Sequence, residues 1–390
     1  MTIGELERPS VAGERIVKIA SSFSFVRAGT PVHETLDGLR EAKARMVAVV
    51  DPASRPLGII LAQDLVDILG KPYGRDLLKR QCVEDIMRDV AKIRYDEYIS
   101  VVRERAGAEL ELGENAQYLL VDRDGLFRGC VSSRDILVHG TKQHQREIQV
   151  ARGIQNRLVP EYSMKGNGTF TVVCSALMAE GVGGDYYFVR EYVPGSWFLC
   201  LCDISGKGTA AAIITAVLAG FMDGARLGSP LSETVIRLND LVLGTFRAER
   251  YLTGVFVKYD EATGDVEYCD MGHSLLYVVS AGGVRAVSEV AGNPPLGMVA
   301  LQAVTADSLA LGEGETLLAV SDGLTEQENR RGEPFRLQTV GDILGNCPLT
   351  RDGLVRAKVE ILEAFYAFKR DMPQRDDVSF LMARRNHPGP

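Results

Sequence analysis

The sequence predicts an α+β protein in two successive parts, and two patterns support this prediction. Residues 1–140 repeat one order of short strands and helices. From residue 166 onward, many short strands joined by hairpin turns alternate with a few long helical segments. Hairpin-connected strands favour antiparallel sheets covered by helices over a doubly wound parallel sheet. The length of 390 residues also suits two to three domains of about 150 residues each.

The composition is that of an ordinary globular chain, with 46% hydrophobic and 25% charged residues. The net charge is −8 and no basic run occurs, which disfavours nucleic acid or an anionic membrane as the main partner. The longest strongly apolar stretch, Ala210–Met222, is shorter than the about 20 residues that span a bilayer. The N-terminus lacks the apolar segment of a signal peptide, and seven scattered cysteines fit a reducing compartment. We therefore expect a cytoplasmic location with no membrane or nucleic-acid partner.

The repeat in residues 1–140 consists of two copies, at about residues 15–72 and 80–139. Each copy contains two short apolar strands around a turn, followed by an apolar helix. The predicted strand pairs are Met46–Val50 with Leu57–Leu61, and Tyr118–Val121 with Phe127–Val131. The predicted helices are Asp64–Leu69 and Arg134–Val138. Copies of about 60 residues bury little surface alone, so we expect them to pack together.

The second copy ends in Gly129-Cys-Val-Ser-Ser-Arg-Asp135, where a helix N-terminus could bind phosphate and a carboxylate could accept ribose hydroxyls. Together with Val83–Met87 and the strand Phe127–Val131, this motif makes the two copies resemble a tandem pair of cystathionine-β-synthase (CBS) domains, called a Bateman module. The resemblance implies an adenine nucleotide in a cleft between the copies, with Ser132 at its phosphate and Asp135 at its ribose. Copy one has Leu61 in place of the hydroxyl, which puts a ligand there in doubt. The alternative is that Ser132 only caps its helix and Asp135 adds first-turn charge.

Residues 141–165 predict a helical linker between the two parts, which Pro160 ends. Its apolar residues are spaced by three, three and four positions: Ile148, Ala151, Ile154 and Leu158. We interpret this narrow stripe as a coiled-coil-like seam, so that a homodimer forms through the linker helix and the N-terminal module. The alternative is that the stripe packs on its own domain.

Residues 166–385 predict a sandwich of antiparallel strands with three long helices. The predicted strands are Thr169–Ser175, Tyr186–Tyr192, Ser196–Cys202, Leu252–Tyr259, Val266–Met271, Leu275–Ser280, Thr316–Ser321 and Val378–Ala383. The predicted helices are Thr209–Arg226, Ser232–Phe246 and Arg351–Lys369.

Four aspartates lie where predicted strands begin or end: Asp185, Asp203, Asp322 and Asp376. If these strands pair centrally, the four carboxylates converge at one edge of the sandwich. Each pair at ~4 Å would repel by about 4 kcal/mol at an effective dielectric constant of about 20, so the cluster needs protons or cations. An all-oxygen set favours two Mg²⁺ or Mn²⁺ ions over zinc. The alternative is that these aspartates serve only in turn hydrogen bonds.

Six motifs occur in one order: Gly183-Gly-Asp-Tyr-Tyr187, Asp203-Ile-Ser-Gly-Lys-Gly-Thr-Ala-Ala211, Gly272-His273, Pro295-Leu-Gly297, Ser321-Asp-Gly-Leu-Thr-Glu326 and Arg375-Asp-Asp-Val-Ser379. In this order they resemble the SpoIIE-type phosphatases, bacterial members of the metal-dependent protein phosphatase 2C-like (PPM) superfamily. The string Arg146–Pro160 also resembles the helix preceding that domain. The resemblance covers about residues 146–384 and implies a PPM-type αββα sandwich.

The resemblance implies a metal-dependent serine/threonine phosphoprotein phosphatase that uses Mn²⁺ or Mg²⁺ and a water nucleophile. Asp203 matches the carboxylate that bridges two ions, with the Ile204 carbonyl as a neighbouring ligand. Asp322 and Asp376 match the ligands of one ion, and Asp185 matches the acid that serves the other. The implied substrate is a phosphorylated anti-sigma-factor antagonist of the STAS type, and the CBS pair implies regulation by adenine nucleotide.

Three positions qualify this interpretation. Phe188 stands where related proteins often have aspartate, which predicts reduced activity. For Lys207 we favour a solvated loop residue over a phosphate contact, and for His273 we favour a structural role over proton donation. Two other functions therefore remain as alternatives: a catalytically weak, nucleotide-responsive binding scaffold, and a metal-dependent hydrolase of small phosphates.

Overall fold

The computed structural model describes residues 3–41, 44–70, 81–111, 115–287 and 292–386. The chain folds into two compact units, Met1–Arg146 and Glu147–Pro390. The division lies inside the predicted linker of residues 141–165, so part of that linker belongs to each unit. Within the described ranges, no helix is long and apolar enough to cross a membrane.

The first unit repeats the order strand, helix, strand, strand, helix. Its first half contains β1 (Gly4–Glu5), β2 (Ser24–Arg27), α1 (Val32–Glu41), β3 (Met46–Val50), β4 (Pro56–Leu61) and α2 (Ala62–Leu69). Its second half contains β5 (Lys92–Arg94), α3 (Ile99–Glu111), β6 (Gln117–Val121), β7 (Phe127–Ser132) and α4 (Ser133–Leu158). In both halves a parallel pair is followed by an antiparallel hairpin, β2-β3-β4 and β5-β6-β7. The predicted duplication is therefore present in the topology.

The two copies exchange the segments that precede their sheets, which the predicted copy boundaries missed. Ile16 and Val17, counted with copy one, pack in the core of copy two against Ile93 and Leu120. Val83, counted with copy two, packs in the core of copy one. A further buried cluster joins the two sheets and includes Met46, Ala48, Ile59, Leu119, Phe127 and Cys130. The copies thus depend on each other for their cores, as their small size requires.

Helix α4 is longer than predicted, because it continues from Ser133 through the polar stretch after Val138 to Leu158. Pro160 follows its end, as expected. The linker prediction was wrong at its C-terminal end: β8 (Tyr162–Gly166) pairs with the next strand of the second unit.

The predicted apolar stripe on this helix is divided between two faces. Ile148 and Ala151 are partly covered, and Gln155 and Val159 are buried on the same side. Ile154 and Leu158 are exposed, together with Val150.

Besides the C-terminal part of α4, the described residues of the second unit form two antiparallel sheets and five helices. The first sheet has the order β10-β11-β12-β13-β16 and comprises β10 (Tyr186–Val193), β11 (Ser196–Ile204), β12 (Leu252–Asp260), β13 (Asp265–Met271) and β16 (Asp307–Ala310). The second has the order β15-β14-β17-β18-β9-β8 and adds β9 (Phe170–Leu177), β14 (Leu276–Ser280), β15 (Gly283–Ala286), β17 (Thr316–Val320) and β18 (Val378–Arg385). The helices are α5 (Thr209–Gly224), α6 (Leu231–Phe246), α7 (Asp322–Thr325), α8 (Leu337–Asn346) and α9 (Arg351–Lys369).

These elements form the predicted αββα sandwich. Helices α5 and α6 pack on the first sheet, and α8 and α9 pack on the second. Alternate residues of one strand serve the two cores: Leu381 and Ala383 of β18 face the other sheet, whereas Phe380 and Met382 face the α8–α9 layer. Because both faces of the central strands are buried in a core, the functional site is expected at the strand ends, where polar residues begin.

Candidate active site

The strand ends of the second unit enclose a cavity of about 320 Å³. The end of β11, the end of β17 and the start of β18 bring three of the four predicted aspartates to its wall: Asp203, Asp322 and Asp376. The other wall residues are Ile204, Ser205, Gly206, Lys207, Tyr251, Thr253, Gly272, His273 and Leu275. The predicted convergence at one edge of the sandwich is thus present for these three acids.

The fourth predicted aspartate, Asp185, does not line the cavity. It is 1% exposed, and its Oδ2 atom has no hydrogen-bond partner. Burial, with the negative charges of Asp203 and Asp377, raises its pKa well above the ordinary value, and the nearby Ser379 and Ser321 only partly oppose this. An orphaned, buried carboxylate oxygen requires a proton or a cation.

Two glycines before Asp185 allow close packing that no side chain would permit. A Cβ atom on Gly184 would lie 2.8 Å from the carbonyl oxygen of Ile204, and one on Gly183 would lie 2.0 Å from Asp377 Oδ2. Gly184 therefore lets the loop approach the Ile204 carbonyl, which the family resemblance implies as a metal ligand. The Gly-Gly of the motif is required by this contact.

Sequence reasoning missed two residues that hold this loop. The Asp377 carboxylate accepts hydrogen bonds from the amides of Ala179, at 2.7 Å, and Gly184, at 2.6 Å. The buried Gln155 side chain of α4 donates to the Gly183 carbonyl, at 2.7 Å, and accepts from its amide, at 3.1 Å. The Asp376-Asp377 pair was the available signal for the first, whereas a lone glutamine in a polar helix gave none for the second.

Burial and neighbouring negative charges raise the pKa of two acids at the cavity wall, Asp203 and Asp322. Burial, followed by the charges of Asp322 and Asp376, raises the pKa of Asp203 to about 7, and Lys207 opposes this. Burial and Asp376 also raise the pKa of Asp322. The ionised form of Asp203 is therefore costly without a bound cation.

Lys207 lies within the cavity wall and is not a freely solvated loop residue. Its Nζ atom is 2.9 Å from Asp376 Oδ2 and also donates to the Arg375 carbonyl. Gly206 and Gly208, with φ of +94° and +74°, make the turn that carries it before α5 begins at Thr209. The cavity therefore contains one cation of its own beside three acids.

His273 serves the structure of the cavity wall. Its amide donates to Asp270, at 2.7 Å, and its Nε2 lies 2.8 Å from the Val320 carbonyl, which can only accept. Burial lowers the pKa of the imidazole, so the neutral ring joins the turn after β13 to β17.

Phe188 of β10 packs against Phe198 and Arg190 and is not part of the cavity wall. Its ring lies 6.2 Å from that of Phe198, and the Arg190 guanidinium lies 4.8 Å from its centre. Arg190 in turn pairs with Asp223 of α5. The side chain at position 188 therefore lies apart from the three acids that face the cavity.

The oxygen-rich wall fits a hard divalent cation, because carboxylates and a backbone carbonyl are the donors that Mg²⁺ and Mn²⁺ prefer. In the ranges that the structure describes, no three His, Cys, Asp or Glu side chains are grouped so that they could hold one ion. The carboxylates at this wall would hold such an ion together with water, since Mg²⁺ usually keeps several waters in proteins.

A second cavity, of about 550 Å³, lies between the two copies of the first unit. Copy one contributes Met46 and Gln63, and copy two contributes Gln117, Ser132 and Asp135. The Ser132 amide and hydroxyl donate to Asp135 Oδ2 at 2.8 and 2.7 Å, so the helix-capping arrangement is present and both side chains still face the cleft.

The corresponding position of copy one differs. Asp64 Oδ1 is 2.5 Å from an Arg88 guanidinium nitrogen, and Leu61 supplies no hydroxyl. The carboxylate of copy one is therefore already paired.

Comparison with known proteins shows which family the second unit is similar to. Residues 194–386 match the family model "Stage II sporulation protein E (SpoIIE)", a range that includes Asp203, Asp322 and Asp376 but not Asp185. Protein IcfG of Synechocystis is 23% identical over 240 residues, which are 57% of this chain and 34% of that protein. The chain thus spans about a third of that relative's length.

Two solved structures are similar to this chain at low identity, and the first of them shares the fold of the second unit. The SiaA-PP2C domain of Pseudomonas aeruginosa aligns with a TM-score of 0.52 and 18% identity, covering 64% of this chain and 99% of that one. The PP2C phosphatase domain of Bacillus subtilis SpoIIE, solved with a fragment of its regulatory domain, aligns with a TM-score of 0.47 and 18% identity, covering 62% and 76%.

Proposed function

We propose that this chain, which carries a SpoIIE-type PP2C-like phosphatase domain over residues 194–386, hydrolyses phosphoserine or phosphothreonine on proteins with Mn²⁺ or Mg²⁺. One observation carries the proposal: Asp203, Asp322 and Asp376 meet at one open cavity although their like charges oppose it. A fold that gathers such acids at a surface cavity needs protons or cations there, and cations at such a site are suited to phosphoryl transfer.

The residues of the cavity have distinct roles in this reaction. The cations would be held by Asp203 with the Ile204 carbonyl, and by Asp322 with Asp376. The buried Asp185 would coordinate a cation directly or through water. When bound, the cations would activate water and polarise a phosphoryl oxygen. Lys207 adds a positive charge at the same wall and could contact a phosphate oxygen if it leaves Asp376.

The test is hydrolysis of p-nitrophenyl phosphate with Mn²⁺, comparing the wild type with Asp203→Asn. Loss of activity in that variant, with retention in Asp240→Asn, supports the proposal, because Asp240 is exposed on α6 away from the cavity. Equal activity in Asp203→Asn and the wild type would overturn it.

The two alternative functions give different outcomes in the same assay. A hydrolase of small phosphates would prefer p-nitrophenyl phosphate to a phosphoserine peptide. A binding scaffold would bind Mn²⁺ and partner without turnover. Retention of the acids at the cavity favours the phosphatase, and the position of Phe188 outside the cavity wall removes one reason for the scaffold.

The proposal includes binding of an adenine nucleotide in the cleft of the first unit, which we interpret as a CBS pair. Its support is the cleft itself, with Ser132 at the start of α4 and Asp135 in the first turn. Calorimetric titration with AMP, ADP and ATP tests it. Asp135→Asn should weaken binding, whereas Asp64→Asn, in copy one, should not; absence of heat with all three nucleotides would contradict this part.

The remaining parts concern partner, assembly and location. We propose a phosphorylated STAS-type anti-sigma-factor antagonist as the substrate, on the motif resemblance, and a homodimer formed through α4 and the first unit. Dephosphorylation of a purified STAS-type phosphoprotein, with phosphorylated casein as the comparison, tests the substrate. A cytoplasmic location is proposed from cysteine usage, since all seven thiols are free and five are buried in the structure.

A further inference from the structure

A basic pocket of about 300 Å³ lies in the second unit, apart from the two cavities described above. Residues 329–331, from the loop after α7, form one side, and residues 367–370, at the end of α9, form the other. Four of these seven residues are cations: Arg330, Arg331, Lys369 and Arg370. This concentration is unusual in a chain whose net charge is −8.

The pocket is built on an anchored loop. Gln327, 1% exposed, donates to the Pro373 carbonyl at 3.2 Å, and the buried Phe335 packs against Phe365 and Phe368 of α9. Between these anchors, Asn329 Oδ1 accepts hydrogen bonds from the amides of Arg331 and Glu333. The backbone that presents the arginines is therefore held at both ends and at its tip.

The side chains of two of the four cations have neither a hydrogen-bond nor an ion-pair partner among the residues that the structure describes. Arg330 binds both carboxylate oxygens of Asp371, and Lys369 Nζ donates to the Met372 carbonyl at 2.9 Å. Arg331 and Arg370 are exposed and make no ion pair with the residues that the structure describes. Two free guanidinium groups at one pocket are a site for carboxylates, which they can bind in a bidentate manner.

The pocket and the phosphatase cavity are lined by neighbouring stretches of the same two segments. One segment begins with Asp322 in the cavity wall and continues to the arginine loop; the other runs from the pocket at Arg370 to Asp376 in the cavity wall. Between them, Arg375 pairs with Glu328 at 2.8 Å, and its amide donates to Gln327. The cavity and the pocket are therefore connected by short stretches of chain, and we expect surface next to a phosphorylated residue in the cavity to reach the pocket.

We propose that the basic pocket, residues 329–331 and 367–370, binds an acidic stretch of the phosphoprotein substrate. The proposal rests on the phosphatase function above and adds a determinant of substrate choice. Exposed charge pairs contribute little individually, so we expect the two free arginines to raise kcat/KM for an acidic substrate by about 2- to 10-fold together. High salt removes such a preference, because it screens exposed charges.

The test uses the full chain with Mn²⁺ and two phosphoserine peptides that differ only in four flanking residues, glutamates in one and glutamines in the other. The wild type should prefer the acidic peptide at low salt and lose that preference near 0.5 M salt. The double variant Arg331→Ala/Arg370→Asn should lose it at low salt; asparagine is chosen because residue 370 has φ +51°. The control Arg237→Ala removes an exposed arginine from α6 and should keep the wild-type preference.

A second measurement separates this inference from the phosphatase proposal. If neither peptide nor p-nitrophenyl phosphate is hydrolysed, the phosphatase proposal fails, and binding of a fluorescein-labelled, glutamate-rich peptide without phosphoserine is followed by anisotropy. Tighter binding to the wild type than to the double variant still supports the pocket. Equal binding, equal kcat/KM for the two peptides in the wild type, or an unchanged preference in the double variant would overturn it. Tighter binding of a single-stranded oligonucleotide than of the acidic peptide would also overturn it, in favour of a different polyanion.

Discussion

At the scale of single residues, the carboxylates of the cavity destabilise the folded state unless a proton or a cation neutralises their charge. Asp203 shows this most clearly, because burial and its acidic neighbours raise its pKa from 3.8 to about 7. The protonated carboxyl contributes stability that is full below the unfolded pKa and is lost as the pH rises from 3.8 through about 7. A cation needs the ionised form, so its stabilising effect has the opposite dependence on pH.

We therefore predict that Mn²⁺ raises the melting temperature more at about pH 7.5 than at about pH 5.5. Scanning calorimetry with and without Mn²⁺ at these pH values measures the effect. Asp203→Asn should remove most of the dependence on pH, since it cannot ionise. A shift of the same size at both pH values would show that Asp203 does not control cation binding.

Gly184 gives the second prediction at this scale. In Gly184→Ala the added Cβ would lie 2.8 Å from the Ile204 carbonyl oxygen, so the loop or the carbonyl must move. We expect Mn²⁺ affinity to fall by about 10-fold or more, the effect of disturbing groups around a metal site. Isothermal titration measures it.

The matched control is Gly244→Ala, on α6, where an added Cβ meets no atom within 4 Å. It should raise stability by up to about 1 kcal/mol without changing affinity, because alanine favours a helix. Wild-type affinity in Gly184→Ala would show that the close packing of this loop is not needed for cation binding.

At the scale of elements, α4 is the most informative. Sequence periodicity assigned one stripe to a dimer seam, but packing divides it between a face buried on the second unit and an exposed row. The exposed row, Val150, Ile154 and Leu158, is spaced by four residues and is the surface available to a second copy.

We predict that Ile154→Glu, with Ile154 56% exposed, lowers the fraction of dimer without changing the melting temperature of the monomer. Sedimentation velocity over a range of concentrations measures the first effect, and thermal unfolding the second. Asn156→Glu, exposed on the same helix outside the row, is the control. A wild type that sediments as a monomer at all concentrations would contradict the dimer.

Gln155 represents the other face of α4. We predict that Gln155→Ala lowers stability by about 1–3 kcal/mol, since it leaves the amide and carbonyl of Gly183 unpaired in a buried place. It should also reduce activity, because Gly183 precedes the loop that carries Asp185. Denaturant unfolding and p-nitrophenyl phosphate hydrolysis measure the two effects; a stable variant with full activity would show that the contact positions nothing.

At the scale of the whole molecule, one continuous helix carries residues of both proposed sites. Helix α4 starts next to Ser132, in the cleft that we propose for a nucleotide, and contains Gln155, which is hydrogen-bonded to Gly183 in the loop before Asp185. Regulation requires that the nucleotide bind two states with different affinity, and a helix shared by both units is an element through which such a difference can act.

We accordingly predict that AMP, ADP or ATP changes turnover at saturating Mn²⁺, and that Asp135→Asn loses this response while Asp64→Asn keeps it. Steady-state assays with each nucleotide measure it. Identical turnover with and without all three nucleotides would show that the first unit does not regulate the second through an adenine nucleotide.

The sequence by itself determined the elements that a local apolar pattern specifies. The duplicated hairpins, most central strands and the three long helices of the sandwich follow from such patterns, and their bounds agree with the structure to within two residues at most ends. Among the elements that were not predicted are the edge strand Asp307–Ala310 and helix α8. The strand is polar and mostly exposed, and the helix is short and contains two glycines, which disfavour a helix. The ordered motifs also identified the three acids of the cavity.

Only the tertiary structure decided which distant residues meet. Several features depend on packing between parts of the chain that are far apart in sequence. The two copies exchange segments, and Asp185 is buried. Gln155 and Asp377 form hydrogen bonds with the loop before Asp185, and Lys207 pairs with Asp376. A periodic pattern reports which side of an element is apolar, but not which neighbour covers it. That choice is made by the close packing of the whole unit.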